Sequence, residues 1–232
     1  DGIVSLVKAY EDENTKGIIL RINSPGGSPV QAGQINDEVR RLREKHPAIP
    51  VHAVVSDLCA SGGYYVAVAA EAIHVDKASL IGSIGVRIDA FGFQQAIEEL
   101  GIERRLLTAG ANKGILDPFS PLPEAQKVFL QGQLDQLHQQ FIGVVKAGRG
   151  DRLKGGEELF SGLFWNGEDS LELGLADQLG STESVARDVI GAEKIVEFTA
   201  KKDLFERLAN RMGTGMVNSF LELAGGAHPM AR

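Results

Sequence analysis

A glycine-rich turn holds the serine best suited to nucleophilic chemistry. Ser61 lies in the stretch CASGGYY, residues 59–65, between an apolar run that predicts a strand and a nearly all-apolar stretch that predicts a helix. Small neighbours would let a second group approach its hydroxyl, and a helix N-terminus stabilises negative charge that develops nearby. A serine at a strand-to-helix junction also commonly serves as a helix N-cap. The residue types therefore leave two roles open for Ser61, nucleophile and cap.

A second turn could supply the hydrogen-bond donors that such a nucleophile needs. The segment SPGG, residues 24–27, follows an apolar run at Gly17–Asn23. Two glycines after a proline leave backbone N–H groups unshielded, which suits an oxyanion hole but is also typical of an ordinary turn between a strand and a helix. Parallel pairing brings the ends of neighbouring strands to one edge of a sheet, so this turn and the Ser61 turn are predicted to meet. Their meeting favours a functional site.

A serine nucleophile also needs a base, and the histidines are poorly placed to provide one. None of the five lies in a glycine-rich turn; they are His46, His52, His74, His138 and His228. Lysine can serve instead where burial lowers its pKa from ~10.4. Lys113 is the candidate, because the small residues around it in AGANKG, residues 109–114, could bring it close to another backbone. An isolated loop lysine is more often a solvated surface charge, and composition alone does not single out Lys113.

Several other chemistries lack the residues that they require. The chain has no carboxylate pair, CxxC pair or HExxH motif, and no Walker or GxGxxG loop, so neither a metal nor a cofactor is expected. A net charge of −7 argues against nucleic acid as a partner. The single cysteine, Cys59, cannot form an intrachain disulfide. The sequence contains no run of ~20 apolar residues, so no membrane span is predicted.

Strands and helices alternate along the 232 residues, which predicts an α/β fold with parallel strand pairs. Strands are expected at Gly17–Asn23, Val51–Ser56, Ile73–Val75, Ile84–Val86, Arg104–Thr108 and Lys194–Phe198. Helices are expected at the start of the chain, over Val30–Lys45, Ser61–Ala70, Phe91–Leu100 and Pro123–Lys146, within Trp165–Gly180, and near Ser184–Ile190. An irregular loop is expected at Ala109–Pro123. We expect one domain over residues 1–200 and a helical or partly mobile tail over 201–232.

Five motifs, in order over roughly residues 17–180, resemble the signal peptide peptidase A family of Ser–Lys proteases, which have a Clp/crotonase-like fold of repeated ββα units. The motifs are LRINSPGG (Leu20–Gly27), SDLCASGGYY (Ser56–Tyr65), IGSIGV (Ile81–Val86), TAGANKGILDPFSP (Thr108–Pro121) and WNGEDSLELGLADQLG (Trp165–Gly180). Their number and order make the resemblance specific. One departure is Cys59, where an apolar or small residue is more usual.

The resemblance implies a role for five residues of this chain. Ser61 matches the family's nucleophile, and Lys113 matches its general base. Ser83 matches a serine that hydrogen-bonds the lysine and holds it toward the nucleophile. The backbone N–H groups of Gly27 and Gly62 match the oxyanion hole.

An apolar substrate pocket is expected beside Ser61. Its candidate lining residues are Tyr64, Tyr65 and Ile84. Such a pocket would accept small or aliphatic side chains before the cut bond, and the apolar core of a signal peptide offers these.

The resemblance further implies a serine endopeptidase that degrades remnant signal peptides and other unfolded apolar peptides. Bacterial members are anchored in the cytoplasmic membrane by an N-terminal helix, with the catalytic domain on the outer, periplasmic side. We expect the same location here, with an anchor that would precede Asp1. Shorter members assemble as rings, so a homo-oligomeric ring is also expected.

Two other functions compete with the peptidase. A crotonase-like acyl-CoA hydratase or isomerase would share the fold and use Gly27 and Gly62 to polarise a thioester carbonyl, but neither glycine-rich turn contains the glutamates that such enzymes use. A non-catalytic oligomeric scaffold would need no intact site, and the presence together of Ser61, Ser83 and Lys113 speaks against it.

Overall fold

The computed structural model describes residues 2–199, which form a six-stranded sheet with helices packed around it. The strands are β1 (Ile18–Ser24), β2 (Val51–Ala60), β3 (Ala72–Val75), β4 (Leu80–Gly82), β5 (Phe164–Trp165) and β6 (Gln178–Leu179). The helices are α1 (Gly2–Glu11), α2 (Pro29–Lys45), α3 (Gly62–Ala67), α4 (Gln94–Glu99), α5 (Glu124–Arg149), α6 (Gly167–Glu172) and α7 (Thr182–Ser184), which continues as a π-helical turn over Val185–Val189. Two 3-10 turns follow α5, at Gly150–Arg152 and Glu157–Phe160. The predicted α/β class is confirmed.

Strand β2 organises the sheet because it pairs with three other strands. It runs parallel to β1 along most of its length. Its first half also pairs with β3, over residues 52–54, whereas its second half pairs with β4, over residues 58–60. The register against β1 shifts between the two halves, and there the Ser56 carbonyl accepts a hydrogen bond from Ser79 Oγ at 2.5 Å. This change of partner carries the end of β2 to β4 and so determines where Ser61 lies.

The core is built on the apolar start of β2. All residues of Val51–Val55 are buried, as expected for a strand covered on both faces. Helix α2 covers part of the sheet with Val39 and Leu42, which are both buried. It begins directly after the turn at residues 24–27, where the Ser28 side chain accepts a hydrogen bond from the backbone as an N-cap. The turn that precedes α2 is therefore held between a strand end and a capped helix.

Three of the predicted strands are wrong. The strand near Ile84–Val86 is β4, which ends at Gly82, and residues 84–86 have no regular structure. Arg104–Thr108 and Lys194–Phe198 also form no strand. Apolar and β-branched composition favours an extended chain, but a strand also needs a neighbouring edge to pair with, and these segments lie outside the sheet.

The predicted helices are present but differ in length. The segment expected as a helix over Ser61–Ala70 gives only the six-residue α3, because β2 extends to Ala60 and turn structure follows Ala67. The expected helix at Phe91–Leu100 is α4, also six residues. Helix α5 is longer than expected and ends at Arg149.

Residues 87–113 form an exposed arm between β4 and α5. No residue of this arm is buried, although it carries several large apolar side chains. Phe91 is 78% exposed and Leu107 is 96% exposed. The first half of α5 continues the apolar surface, with Val128 and Phe129 also exposed. The arm and this part of α5 thus present an apolar surface that no other part of residues 2–199 covers.

Within residues 2–199, no helix has both the length and the apolar character needed to cross a membrane. The tail predicted at residues 201–232 lies outside the described residues.

Candidate active site

Ser61 follows the last residue of β2 in an unusual backbone conformation. Its φ is +51° and its ψ is −119°, a combination that non-glycine residues rarely adopt. It occupies the N-cap position of α3, yet its side chain makes no capping hydrogen bond. The hydroxyl is partly exposed and forms no hydrogen bond to any of residues 2–199. Of the two roles that the sequence left open, capping is therefore absent.

Backbone hydrogen bonds on both sides hold Ser61 in this conformation. Its N–H donates to the Gly82 carbonyl at 2.8 Å, which extends the β2–β4 ladder by one residue. Its carbonyl accepts from the Tyr65 N–H at 2.9 Å and so begins α3. The strained φ is thus fixed by a strand on one side and a helix on the other.

Two backbone donors lie beside Ser61 without acceptors. The N–H groups of Gly27 and Gly62 donate to no atom of the described chain. They are close together, because a Cβ built on Gly62 would lie 3.2 Å from the Gly27 nitrogen. A Cβ built on Gly26 would lie 2.8 Å from the Ser61 Cβ and 3.0 Å from the Gly62 nitrogen. The two glycine-rich turns therefore meet, and only glycine at position 26 permits this closeness.

The Ser24 side chain shapes the first of these turns. Its Oγ accepts a hydrogen bond from the Gly26 N–H at 3.1 Å, so that donor is satisfied within the turn. A Cβ on Gly63 would lie 3.2 Å from the Ser24 Cβ, which shows that α3 packs directly on the end of β1. The N–H left free in the turn is then that of Gly27.

Ser83 lies next to Ser61 across the β2–β4 ladder. It follows Gly82, the residue that pairs with Ala60, and it too has a φ of +51°. Its N–H donates to the Leu163 carbonyl at 2.7 Å, which ties it to the chain before β5. Its side chain is partly exposed and makes no hydrogen bond with residues 2–199. The structure therefore brings together four of the predicted residues, namely Ser61, Ser83, Gly27 and Gly62.

Lys113 is not part of this group in the isolated chain. It ends the exposed arm, in a turn closed by its own N–H to the Gly110 carbonyl at 3.1 Å. Its amine makes no hydrogen bond or ion pair with any side chain of residues 2–199, Ser61 and Ser83 included. Within residues 2–199 the arm around Lys113 is exposed to solvent, so its role as the general base stays a prediction.

The three residues expected to line a substrate pocket have different surroundings. Tyr64 has no exposed surface, and its hydroxyl donates to the Leu175 carbonyl at 2.8 Å, so it belongs to the core. Ile84 is also fully buried. Tyr65 is partly exposed and packs its ring on Phe141 at 5.1 Å between centroids. Only Tyr65 of the three presents surface to a ligand in this chain.

One histidine contacts the site in a way that was not predicted from the sequence. A ring nitrogen of His138, on α5, lies 3.2 Å from the Ile84 carbonyl, directly after Ser83. This contact supports the chain segment that bears Ser83. The polar helix face on which His138 lies gave no sign of it, because the contact depends on how α5 crosses the end of β4.

Other reactive groups near Ser61 are inactive or absent. Cys59, two residues earlier, is fully buried, and burial raises the pKa of its thiol so that it stays protonated. Among residues 2–199, no cluster of three or more His, Cys, Asp or Glu could hold a metal ion. What remains is an unbonded hydroxyl beside two unpartnered amide donors. That arrangement supplies two of the three parts of a serine hydrolase site, a hydroxyl that could attack a carbonyl carbon and donors that could stabilise the resulting oxyanion, and the third part, a base, would have to join them.

Comparison with known families assigns the chain more narrowly. The model of peptidase family S49 matches residues 43–195, which is more than half of the chain. The chain therefore belongs to peptidase family S49, as its resemblance to signal peptide peptidase A implied, and the assignment to a serine peptidase rather than an acyl-CoA enzyme is confirmed.

Curated relatives agree over most of the chain but are much longer. A protein of Brucella abortus named Na(+)/H(+) antiporter NhaA is 41% identical over 186 residues, which are 80% of this chain and 25% of that protein. Protease 4 of Haemophilus influenzae is 30% identical over 176 residues, 76% of this chain and 28% of that protein. The chain thus spans about a quarter of the length of either relative.

A solved structure confirms the fold. It is a mutant of a membrane-bound stomatin-specific protease in complex with a substrate peptide, with a TM-score of 0.51 and 16% sequence identity. The match covers 91% of this chain and 90% of that one. Together with the family match, it confirms the expected Clp/crotonase-like fold.

Proposed function

We propose that the chain is a serine endopeptidase in which Ser61 is the nucleophile, Lys113 is the general base and Ser83 orients that base. The observation that carries the proposal is the strained, unbonded Ser61 beside the free N–H groups of Gly27 and Gly62. A nucleophile elsewhere in the described chain would lack this pair of donors. Membership of peptidase family S49 supports the reaction class.

The proposed reaction proceeds through an acyl-enzyme. The Lys113 amine takes the proton of the Ser61 hydroxyl as Oγ bonds to the peptide carbonyl carbon, and the carbonyl oxygen becomes an oxyanion between the N–H groups of Gly27 and Gly62. The oxyanion then re-forms the carbonyl, the C–N bond breaks, and Lys113 returns the proton to the leaving amine. Water repeats the two steps and releases the acid with free Ser61.

Lys113 must be brought to Ser61 for this reaction to occur. We propose that self-assembly does so, because the arm that carries Lys113 exposes apolar side chains suited to an interface between copies. Phe91 and Leu107 would become covered, and the arm would be held in one place. A homo-oligomeric ring, as the resemblance implies, is the assembly that we propose.

The proposed substrates are apolar, unfolded peptides, remnant signal peptides among them. The match to a protease solved with a substrate peptide supports a peptide as the ligand type. The proposed location is the bacterial cytoplasmic membrane, with the catalytic domain on the periplasmic side. This location rests on the family resemblance.

Replacement of the two proposed reacting side chains tests the mechanism. Ser61→Ala and Lys113→Ala should each lower the hydrolysis of a fluorogenic apolar peptide by more than about a thousandfold, and the double variant should be little worse, because the two groups form one proton-transfer unit. A fluorophosphonate probe should label the wild-type protein but not Ser61→Ala. The matched control is Ser161→Ala, whose exposed hydroxyl only bonds the Glu158 carbonyl. Undiminished hydrolysis by Ser61→Ala would refute the proposed function, and by Lys113→Ala would refute the base.

A further inference from the structure

The side chain of Tyr64 connects the helix after Ser61 to a distant part of the chain. Tyr64 is the third residue after Ser61 and lies in the first turn of α3. Its side chain is fully buried, and its hydroxyl donates to the Leu175 carbonyl at 2.8 Å across 111 residues of sequence. A buried phenol is stable only with such a partner, so the bond fixes the direction of the ring.

The turn that receives this bond is itself held rigidly. The Leu175 N–H donates to the Ser170 carbonyl at 2.8 Å. Beside it, Arg149 Nε donates to the Gly174 carbonyl at 2.8 Å, and the Arg149 guanidinium binds both oxygens of Asp177 at 2.7 and 2.9 Å. Arg149 is only 2% exposed, and so a bidentate, partly buried ion pair fixes the turn.

Helix α3 needs an anchor of this kind. It has six residues, too few to be stable through its own hydrogen bonds, and no side chain caps its start. Its first residue supplies the free Gly62 N–H, and the Ser61 carbonyl begins its hydrogen-bond ladder. A small shift of α3 would therefore move the nucleophile and one oxyanion donor together, away from the donor on Gly27.

We propose that Tyr64 is a positioning residue, whose hydroxyl bond to Leu175 holds Ser61 and the Gly62 N–H in register with the Gly27 N–H. The inference rests on the proposed function of Ser61. It assigns Tyr64 to the geometry of the transition state, in place of the substrate pocket that the sequence suggested. Tyr64 acts through Ser61 and Gly62 and touches no reacting atom.

The change Tyr64→Phe removes the hydroxyl and keeps the ring in the core. Because a misplacement of about 1 Å or a weakened oxyanion donor costs on the order of 10²-fold in rate, kcat should fall about ten- to a hundredfold. KM should change less than about twofold, since the change spares the surface that binds substrate. A peptide aldehyde, whose adduct with Ser61 places an oxyanion between the two donors, should bind more weakly by the factor lost in kcat/KM.

Kinetics should be expressed per active site, counted by fluorophosphonate titration, so that a loss of folded protein does not appear as a loss of rate. Tyr10→Phe is the matched control, because Tyr10 is also a buried tyrosine but its hydroxyl has no hydrogen-bond partner among residues 2–199. It should keep the wild-type kcat and aldehyde affinity.

Each outcome decides the inference. Wild-type kcat per labelled site in Tyr64→Phe, or a loss confined to the titrated fraction or to KM, would overturn it. If Tyr64→Phe does not fold, Arg149→Lys tests the same anchor, since it keeps a charge beside Asp177 but loses the Nε bond to Gly174. An unchanged kcat in that variant would overturn the inference equally. Activity retained by Ser61→Ala would instead refute the proposed function, independently of Tyr64.

Discussion

Gly26 adopts a φ of +107°, and a Cβ built on it would lie 2.8 Å from the Ser61 Cβ. We predict that Gly26→Ala lowers stability by about 1–3 kcal/mol, because an alanine at this φ is strained and its Cβ would meet the backbone of the Ser61 turn. The kcat/KM for peptide hydrolysis should also fall, by more than the loss of folded protein accounts for. The reason is that relief of the clash would separate the two proposed oxyanion donors. Urea unfolding and kcat/KM measured on the same samples check both effects.

Gly132→Ala is the control for this change. Gly132 lies within α5 with nothing within 4 Å of a built Cβ, so alanine should stabilise the helix and leave activity unchanged. Equal stability of Gly26→Ala and the wild type would contradict the predicted strain.

At the scale of single residues, the glycine-rich turns and their meeting were predictable from the sequence. Parallel strands dictate that neighbouring strand ends lie together, and this was enough to pair Ser61 with Gly27. The role of Tyr64 was not accessible, since whether an aromatic residue after a nucleophile points to a pocket or to the core depends on what packs behind the helix. The exposure of Lys113 was not predictable for a related reason: small neighbours permit close packing, but only another surface can supply it.

At the scale of elements, a buried histidine pair joins the start of β2 to β3. His52 Nδ1 and His74 Nε2 lie 3.1 Å apart, and both side chains are buried. Burial lowers the pKa of both histidines. At His52, the negative charge of Glu71 opposes this lowering of the pKa and the positive charge of Arg43 adds to it. At His74, the neighbouring His52 lowers the pKa further and the negative charge of Asp177 raises it. Both rings are therefore neutral in the folded chain at neutral pH.

This pair predicts a loss of stability in mild acid. The folded-state pKa values lie below the unfolded value of about 6.5, so the unfolded chain binds more protons as the pH falls below that value. The stabilisation is present above pH ~6.5 and is lost progressively below it. His74→Asn should flatten the dependence of the unfolding free energy on pH between about 5 and 7, measured by urea titration.

The control for this prediction is His46→Asn, which removes a histidine outside the pair and should leave the slope as in the wild type. The slope, and not the absolute stability, is the quantity compared, because His74→Asn also changes a buried packing site. An unaltered slope in His74→Asn would show that the pair does not carry the acid sensitivity.

The elements themselves were predictable where periodicity and burial agree. The strand β1 and the helices α2 and α5 follow from their apolar patterns alone. Segments such as Arg104–Thr108 were mistaken for strands. An apolar run indicates that its side chains need to be buried, but it does not show which element buries them. A strand also needs a neighbouring strand to pair with its backbone N–H and C=O groups, and within residues 2–199 the arm pairs with none.

At the scale of the whole molecule, the arm leads to a prediction about assembly. Light scattering should give a mass several times the 24.8 kDa of one chain. Dilution below the dissociation range should lower the activity per chain, because on the proposed mechanism assembly brings Lys113 to Ser61. The double variant Phe91→Glu, Leu107→Glu should be monomeric and inactive, since charge is placed at the two most exposed apolar positions of the arm.

Val4→Glu is the control for the arm variant, because Val4 is a 57% exposed apolar residue of α1 that lies outside the arm. It should remain assembled and active. A stable, fully active monomer of the arm variant at micromolar concentration would contradict the proposed assembly.

The separation of Lys113 from Ser61 also bears on how a cell could tolerate such an enzyme. On the proposed mechanism, a newly synthesised copy has the Ser61 hydroxyl and the Lys113 amine apart. It would therefore not hydrolyse the unfolded polypeptides around it. Catalytic power would arise only where enough copies gather. Crowding at the working location would then switch the enzyme on, and dispersal would switch it off, with no inhibitor needed for either.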